Sequence, residues 1–152
     1  MKVFIREATA DDLSRVAVLF DAYRVFYGQT SNPHVAQFYL SERLRRNESK
    51  IFIAIDTDSH QTIGFTQLYP GFSSLRVGRI WILEDLFVRS DARRIGVGDA
   101  LITKAEAFAK ESGAVGVTLS TAVTNANAQR LYEKHGYERD TDFLNYSRYF
   151  VV

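Results

Sequence analysis

Two arginines, two glycines and a helix start stand together at Arg93-Arg94-Ile95-Gly96-Val97-Gly98, directly after the apolar run Leu86-Phe87-Val88. Glycines let backbone N–H groups approach a ligand with no Cβ in the way. A helix start adds unpaired N–H groups and the positive end of its dipole, and guanidinium groups suit phosphate oxygens. The chemistry this order describes is the binding of a phosphate-bearing ligand. The dinucleotide fingerprint would need a third glycine where Leu101 stands, and the Gly-Lys-Ser/Thr of a P-loop is absent. Alone, a Gly-x-Gly step equally describes a plain helix entry; two arginines ahead of it, between strand and helix, make the pattern more specific.

A second group of residues could move protons. Glu84 and Asp85 interrupt an apolar strand, where carboxylates are costly unless paired or solvated, so a polar cavity is expected beside them. Adjacent strand residues point to opposite faces, and without a bulge only one can reach a given site. Tyr132 shares a helix face with Ala128 and His135. A phenol, with a pKa of about 10, can donate a proton without being ionised at rest; the helix alone favours a buried tyrosine bonded to a carbonyl. His34, His60 and His135 show no metal-ligand spacing with an acidic partner, and no metal is expected. The chain has no cysteine and no G-x-S-x-G elbow, so a cysteine nucleophile is excluded and, for any group transfer, direct attack is simpler than a covalent enzyme intermediate.

Arg93 to Gly98 matches the Q/R-x-x-G-x-G/A pattern of the GNAT superfamily of N-acetyltransferases. Asn125-Ala126-Asn127-Ala128-Gln129-Arg130-Leu131-Tyr132-Glu133-Lys134-His135-Gly136-Tyr137 is similar to that family's N-x-x-A-x-x-L-Y-x-x-x-G-F/Y helix. The order and separation of the two motifs fit as well, and the resemblance covers essentially the whole chain. It implies acetyl-CoA as co-substrate, with Arg93, Arg94, Ile95, Gly96, Val97, Gly98 and Asp99 around the pyrophosphate. Backbone groups of Leu86, Phe87 and Val88 would pair with the pantetheine arm as a strand edge pairs with a peptide, and Asn125 and Ala128 would lie along it near its reactive end. Tyr132 takes the catalytic tyrosine position, protonating the departing thiolate. Glu84 takes the position of an acid that binds the amine and relays its proton, while Asp85 is left a structural hydrogen bond.

Trp81 to Val88 resembles the polyamine/thialysine and fungal histone/polyamine branch, whose polyamine acetylators carry additional acids near the end of the first helix. Here that region reads Tyr23-Arg24-Val25-Phe26-Tyr27-Gly28-Gln29, and a polycation would meet Arg24 with no acid nearby to offset it. A small primary amine with a carboxylate for Arg24, an amino acid or lysine analogue bound beside Tyr27, fits better than a polyamine. A non-catalytic acyl-CoA-binding or regulatory domain and a protein (histone-like lysine) acetyltransferase are the other readings. Relatives in that branch form homodimers, often with the C-terminal strand packed on or exchanged with the partner.

The elements that must position these groups follow from periodicity. Val3–Arg6 reads as a strand and Thr9-Ala10-Asp11-Asp12 as a capping box, opening a helix with Leu13, Val16, Phe20, Tyr23 and Tyr27 at near-helical spacing. Ser31-Asn32-Pro33 starts a second helix to about Asn47, whose arginines read as a solvated end. Ile51–Ile55 and Thr62–Tyr69 form a hairpin, Pro70–Ser74 a turn, and Val77–Arg89 a central strand. In that strand Ile80, Ile82, Leu86 and Val88 fall on one face and Trp81, Leu83 and Phe87 on the other. A helix after Gly98, a strand at Val115–Leu119, the helix at Asn125–His135 and a final strand at Phe143–Val152 complete an α/β fold of GNAT type. Its sheet is mixed and mostly antiparallel, flanked by about four helices, in one domain over residues 1–152. A net charge of +1 excludes a global basic field for nucleic acid. No apolar run approaches about 18 residues and the N-terminus lacks a signal-peptide core, so neither a membrane nor a nucleic acid is an expected partner. The absence of cysteine agrees with a cytoplasmic protein.

Overall fold

The computed structural model describes residues 2–151. The chain falls into two compact units, one up to Ser120 and one from Thr121 onward.

The first unit is a five-stranded sheet in the order β1-β2-β3-β4-β5. β1 (Val3–Glu7), β2 (Lys50–Asp56), β3 (Thr62–Ser73) and β4 (Gly78–Val88) are antiparallel neighbours, and β5 (Gly116–Thr118) joins β4 in parallel. Helices α1 (Leu13–Phe26) and α2 (Pro33–Arg45) precede β2, and α3 (Val97–Glu111) connects β4 to β5. Ile51, Ile53 and Phe65 join Val16, Phe20, Ala36 and Leu40 in the core under α1 and α2. Full burial of Phe65 contributes about 2–3 kcal/mol. On the opposite face α3 brings Phe108 against Phe52 and Trp81, with ring centroids 5.5 and 5.0 Å apart. With both faces covered, the apolar run of β2 is buried almost throughout.

The helix signals act as their chemistry requires. The Asp12 carboxylate accepts the Thr9 backbone N–H at 2.8 Å and holds Arg6 through two bonds and Arg15 through a third. These contacts hold its pKa well below the usual carboxylate range, chiefly through Arg6. Thr9 caps a single 3-10 turn, Ala10–Asp12, that leads into α1. Asn32 Oδ1 accepts the Val35 N–H and Pro33 opens α2.

Two expectations change here. Pro70-Gly71-Phe72-Ser73 is strand rather than turn: β3 runs to Ser73, paired with β4, and the turn falls at residues 74–77. Pro70 is tolerated because the β2 ladder ends at Leu68, so its missing N–H faces no neighbour. Along β4 the expected alternation breaks. Gln67 faces Asp85 but Leu68 faces Leu83, leaving Glu84 as the extra residue of a β-bulge. Trp81 lies on the α3 face against Phe108. Phe87, six residues on, lies on the other face, with its ring 6.4 Å from that of Tyr23. By alternation from Phe87, Leu86 and Val88 share the face of Trp81 and Leu83, not that of Ile80 and Ile82.

The second unit holds α4 (Ala126–Lys134), ended by His135 and by Gly136 in the left-handed conformation. The expected final strand is not formed over the described residues: 138–151 carry no regular element. Phe143, Leu144, Tyr146, Tyr149, Phe150 and Val151 are exposed. A strand needs a neighbour for its backbone groups, and without one the apolar pattern alone does not form it. Val152 lies outside the described residues.

Candidate active site

β4 supplies an open edge. Its ladder to β5 runs from Ile80↔Gly116 to Ile82↔Thr118 and stops, while β4 continues to Val88. Over residues 83–88 the side of β4 away from β3 pairs with no strand among the described residues of this unit, and alternate backbone groups of Leu86–Val88 face that gap. The Val88 carbonyl is already engaged, accepting Arg93 Nε at 2.7 Å.

The edge leads into the Arg-Gly turn. After a short 3-10 turn (Ser90–Ala92), Arg93 is extended, Arg94 is left-handed at φ 66° and Gly96, the N-cap of α3, is left-handed at φ 88°. A left-handed residue is costly for an arginine and natural for a glycine. A turn built on left-handed residues can gather backbone N–H groups into an anion-binding nest, here continuous with the first-turn donors of a fifteen-residue helix. A Cβ built on Gly96 meets nothing within 4 Å, so the glycine serves the backbone angle. Of the seven residues expected around a pyrophosphate, Val97 keeps its side chain in the core and can offer only its N–H. Asp99 stands in the first turn, where its charge favours the helix dipole. Arg93 is held over the rings of Phe87 and Phe26, at 5.3 and 5.8 Å, and Arg94 flanks the nest.

On the α1/α2 face the bulge separates the two acids. Glu84 is exposed, whereas Asp85 is 4% exposed. Gln67 Nε2 donates to Asp85 Oδ2 at 2.5 Å, and the Tyr23 hydroxyl donates to the Glu84 carbonyl at 3.2 Å while also serving the Asp85 carboxylate. Burial dominates these bonds and pushes the Asp85 carboxyl up to about 6, with the Glu84 charge adding to the rise. The Tyr39 and Tyr69 hydroxyls bond each other at 2.5 Å. Tyr69 and Tyr23 are raised well above the usual phenol range, first by burial and then by neighbours that include Asp85.

Arg24 stands in the last turn of α1 and Tyr27 at its C-cap, the Tyr27 ring 5.0 Å from that of Tyr23. Asp21, three residues before Arg24, is the nearby acid that the sequence reading did not find, and Arg24 helps lower its pKa. Its carboxylate is committed to the α1–α2 loop, accepting Ser31 Oγ at 2.6 Å and the Asn32 N–H at 2.7 Å. Asp21, Gln67, Tyr39 and Tyr69 all escaped sequence reasoning. A glutamine in the apolar run Ile63–Leu68, opposite a strand carrying two acids, was the available signal.

In the second unit Asn125 caps α4, its Oδ1 accepting the Ala128 N–H at 3.1 Å, so this oxygen is engaged locally. Tyr132 is 8% exposed, and its ring meets that of Tyr137 edge-on at 6.0 Å. Among the described residues no cluster of His, Cys, Asp and Glu could hold a metal ion, and no helix is long and apolar enough to cross a membrane.

The acetyltransferase (GNAT) family model matches residues 16–137. The uncharacterized N-acetyltransferase YhfO of Bacillus subtilis is 46% identical over 142 residues, 93% of this chain and 94% of that protein. The D-amino-acid N-acetyltransferase HPA3 of Saccharomyces cerevisiae is 35% identical over 88 residues, 58% of this chain and 55% of that protein. A solved structure of a probable acetyltransferase superposes with a TM-score of 0.90 at 41% identity, covering 100% of this chain and 99% of that one. The family match begins inside α1 and ends at Tyr137, taking in the open edge of β4, the Arg-Gly nest and the Tyr132 helix alike: the chain belongs to the acetyltransferase (GNAT) family of enzymes.

Proposed function

We propose that the protein moves the acetyl group of acetyl-CoA directly to the primary amine of a small molecule, through a ternary complex. The observation that carries this reading is the continuity of the β4 edge with the nest at Arg94 and Gly96. A strand edge suits an amide-rich arm and the nest suits a pyrophosphate, in the order the co-substrate needs them. The thioester supplies the acyl group and a thiolate leaving group.

Backbone groups of Leu86 and Phe87 hold the arm, and the N–H groups of residues 95–99, with Arg93 and Arg94, hold the pyrophosphate. Glu84 binds the acceptor as its ammonium ion and relays a proton away, since only the neutral amine attacks and a free lysine-type amine has a pKa of about 10.4. Tyr132 gives a proton to the departing sulfur, on the strength of its place in the family motif. The protein works as a homodimer in which a second copy covers the exposed apolar side chains of residues 143–151, a reading supported by their exposure.

For the acceptor we favour an amino acid or lysine analogue, its carboxylate set by Arg24 beside Tyr27, over a polyamine. Asp21 does not reverse this choice, because its carboxylate is used up in holding Ser31 and Asn32. The similarity to a D-amino-acid N-acetyltransferase supports the same class. Thiol release from acetyl-CoA with amino acids, lysine analogues and polyamines tests the reading; an amino acid or lysine analogue is expected to outperform spermidine, and full acetylation of spermidine at low concentration would overturn the acceptor choice.

A further inference from the structure

Asp85 takes no part in binding the co-substrate or the amine, yet it is a buried carboxyl group whose pKa is raised rather than lowered. Its carboxylate is buried without a cation. The groups that face it are Gln67 of β3, the Tyr23 hydroxyl of α1 and its neighbour Glu84; Tyr69 of β3 and Tyr27 of α1 lie further out in the same cluster. A buried carboxylate served only by neutral donors is expensive, and a purely structural role would be filled as well by asparagine.

Gln67 supplies the independent observation. It is fully buried, its Nε2 is spent on Asp85, and its Oε1 has no hydrogen-bond partner among the described residues. Such an orphan costs about 1–3 kcal/mol. An amide beside a carboxyl group has two useful orientations. In one, Nε2 donates to the ionised carboxylate. Rotated by half a turn, Oε1 accepts from the protonated acid. Gln67 therefore has a ready partner for either charge state of Asp85. Tyr23 completes the route, because its hydroxyl serves the buried carboxylate and also reaches the Glu84 carbonyl in the partly exposed part of the site.

We propose that Asp85 is a positioning residue that stores the proton released by the acceptor amine, reached through the Tyr23 hydroxyl and held in both charge states by Gln67. The proposal rests on acetyl transfer to an amine as the reaction. The ammonium ion bound at Glu84 passes one proton to the Tyr23 oxygen as the phenol proton moves to Asp85. The C–N bond forms and the C–S bond breaks, the departing sulfur takes the Tyr132 phenol proton, and the second proton lost by nitrogen restores that phenol. The balance is an amide, a thiol and one proton, which leaves Asp85 for solvent when product departs. Glu84 binds the cation and directs its proton into this route; Asp85 is where the proton is stored.

The test is the pH profile of thiol release with the best amine of an amino-acid and lysine-analogue panel, for the unmodified protein, Asp85→Asn, Asp85→Glu and Tyr23→Phe. In the unmodified protein kcat/KM should fall about tenfold per pH unit below about pH 6. Asp85→Asn should lower kcat about 10²-fold or more, abolish that acid limb and leave KM for acetyl-CoA unchanged. Asp85→Glu should restore a limb, and Tyr23→Phe should lower kcat at least tenfold. An acid limb that survives in Asp85→Asn overturns the proposal. Should that variant not fold, an unaltered kcat in Tyr23→Phe overturns it. Absence of thiol release with every amine would instead defeat the reaction itself. In that event carboxyl-labelled NMR titration decides the network. A midpoint near 6 that moves in Tyr23→Phe supports it, and one in the ordinary carboxylate range overturns it.

Discussion

Trp81 and Phe87 lie six residues apart on one strand yet on opposite faces of the sheet, because Glu84 between them is bulged out of the β3–β4 ladder. An unbroken strand would have placed both on the same side. The bulge turns Asp85 and Phe87 toward α1 and leaves Glu84 exposed, and it lies just beyond Ile82, where β4 parts from β5. One extra residue thus sets the proton chemistry on one face and the open edge beside it.

Gly96→Ala should cost about 1–2 kcal/mol from the left-handed angle alone, since the added methyl group has room. At Arg94, also left-handed, glycine should be better tolerated than alanine in thermal melts. All three substitutions should weaken acetyl-CoA binding, by roughly tenfold or more for each lost phosphate contact, as read by calorimetric titration.

Two of the buried aspartates, Asp85 and Asp12, set opposite pH dependences. Asp85 has a folded-state pKa raised to about 6. Its folded form binds more protons than its unfolded form between the ordinary carboxylate value and about 6, so stability falls as pH rises through that window. The cost above it is on the order of 2–3 kcal/mol. Asp12 is depressed by Arg6 and stabilises above the ordinary carboxylate value, an effect lost as pH falls through and below it. Melting temperature should therefore rise on acidification from pH 7.5 to pH 5, and Asp85→Asn should be more stable than the unmodified protein at pH 8. Asp12→Ala should be less stable by about 2 kcal/mol at neutral pH.

Tyr132→Phe should lower kcat about 10²-fold while CoA binding survives, measured as thiol release beside a CoA titration. Loss of both together would make Tyr132 a packing residue only.

The exposed tail predicts an assembly. Sedimentation of the full chain should give a dimer, and removal of residues 143–152 should give a monomer. A full-length monomer would contradict the dimer reading.

The anion nest was legible in the sequence because its requirements are local: Gly96 needs a left-handed angle, and α3 announces itself through the spacing of Leu101, Ala105 and Ala109. The helix starts at Thr9 and Asn32 were legible for the same reason; the cap at Asn125 was not read there. The bulge was not, since nothing in Trp81–Val88 marks which residue is doubled until β3 fixes the register through Gln67 and Leu68. Pro70 reads as a turn until β2 is seen to end before it. Asp85 looked structural because its burial depends on Gln67 and Tyr23, distant in sequence. The tail carries a strand's apolar pattern, but a strand forms only where another backbone meets it.

Thiol release from acetyl-CoA against amino acids, lysine analogues, polyamines, aminoglycosides and histone peptides tests the central claim most directly. The account predicts strong release with an amino acid or lysine analogue, weakened in Arg24→Ala through a higher acceptor KM. Silence across the panel from protein that still binds CoA would contradict it and favour a non-catalytic acyl-CoA-binding role.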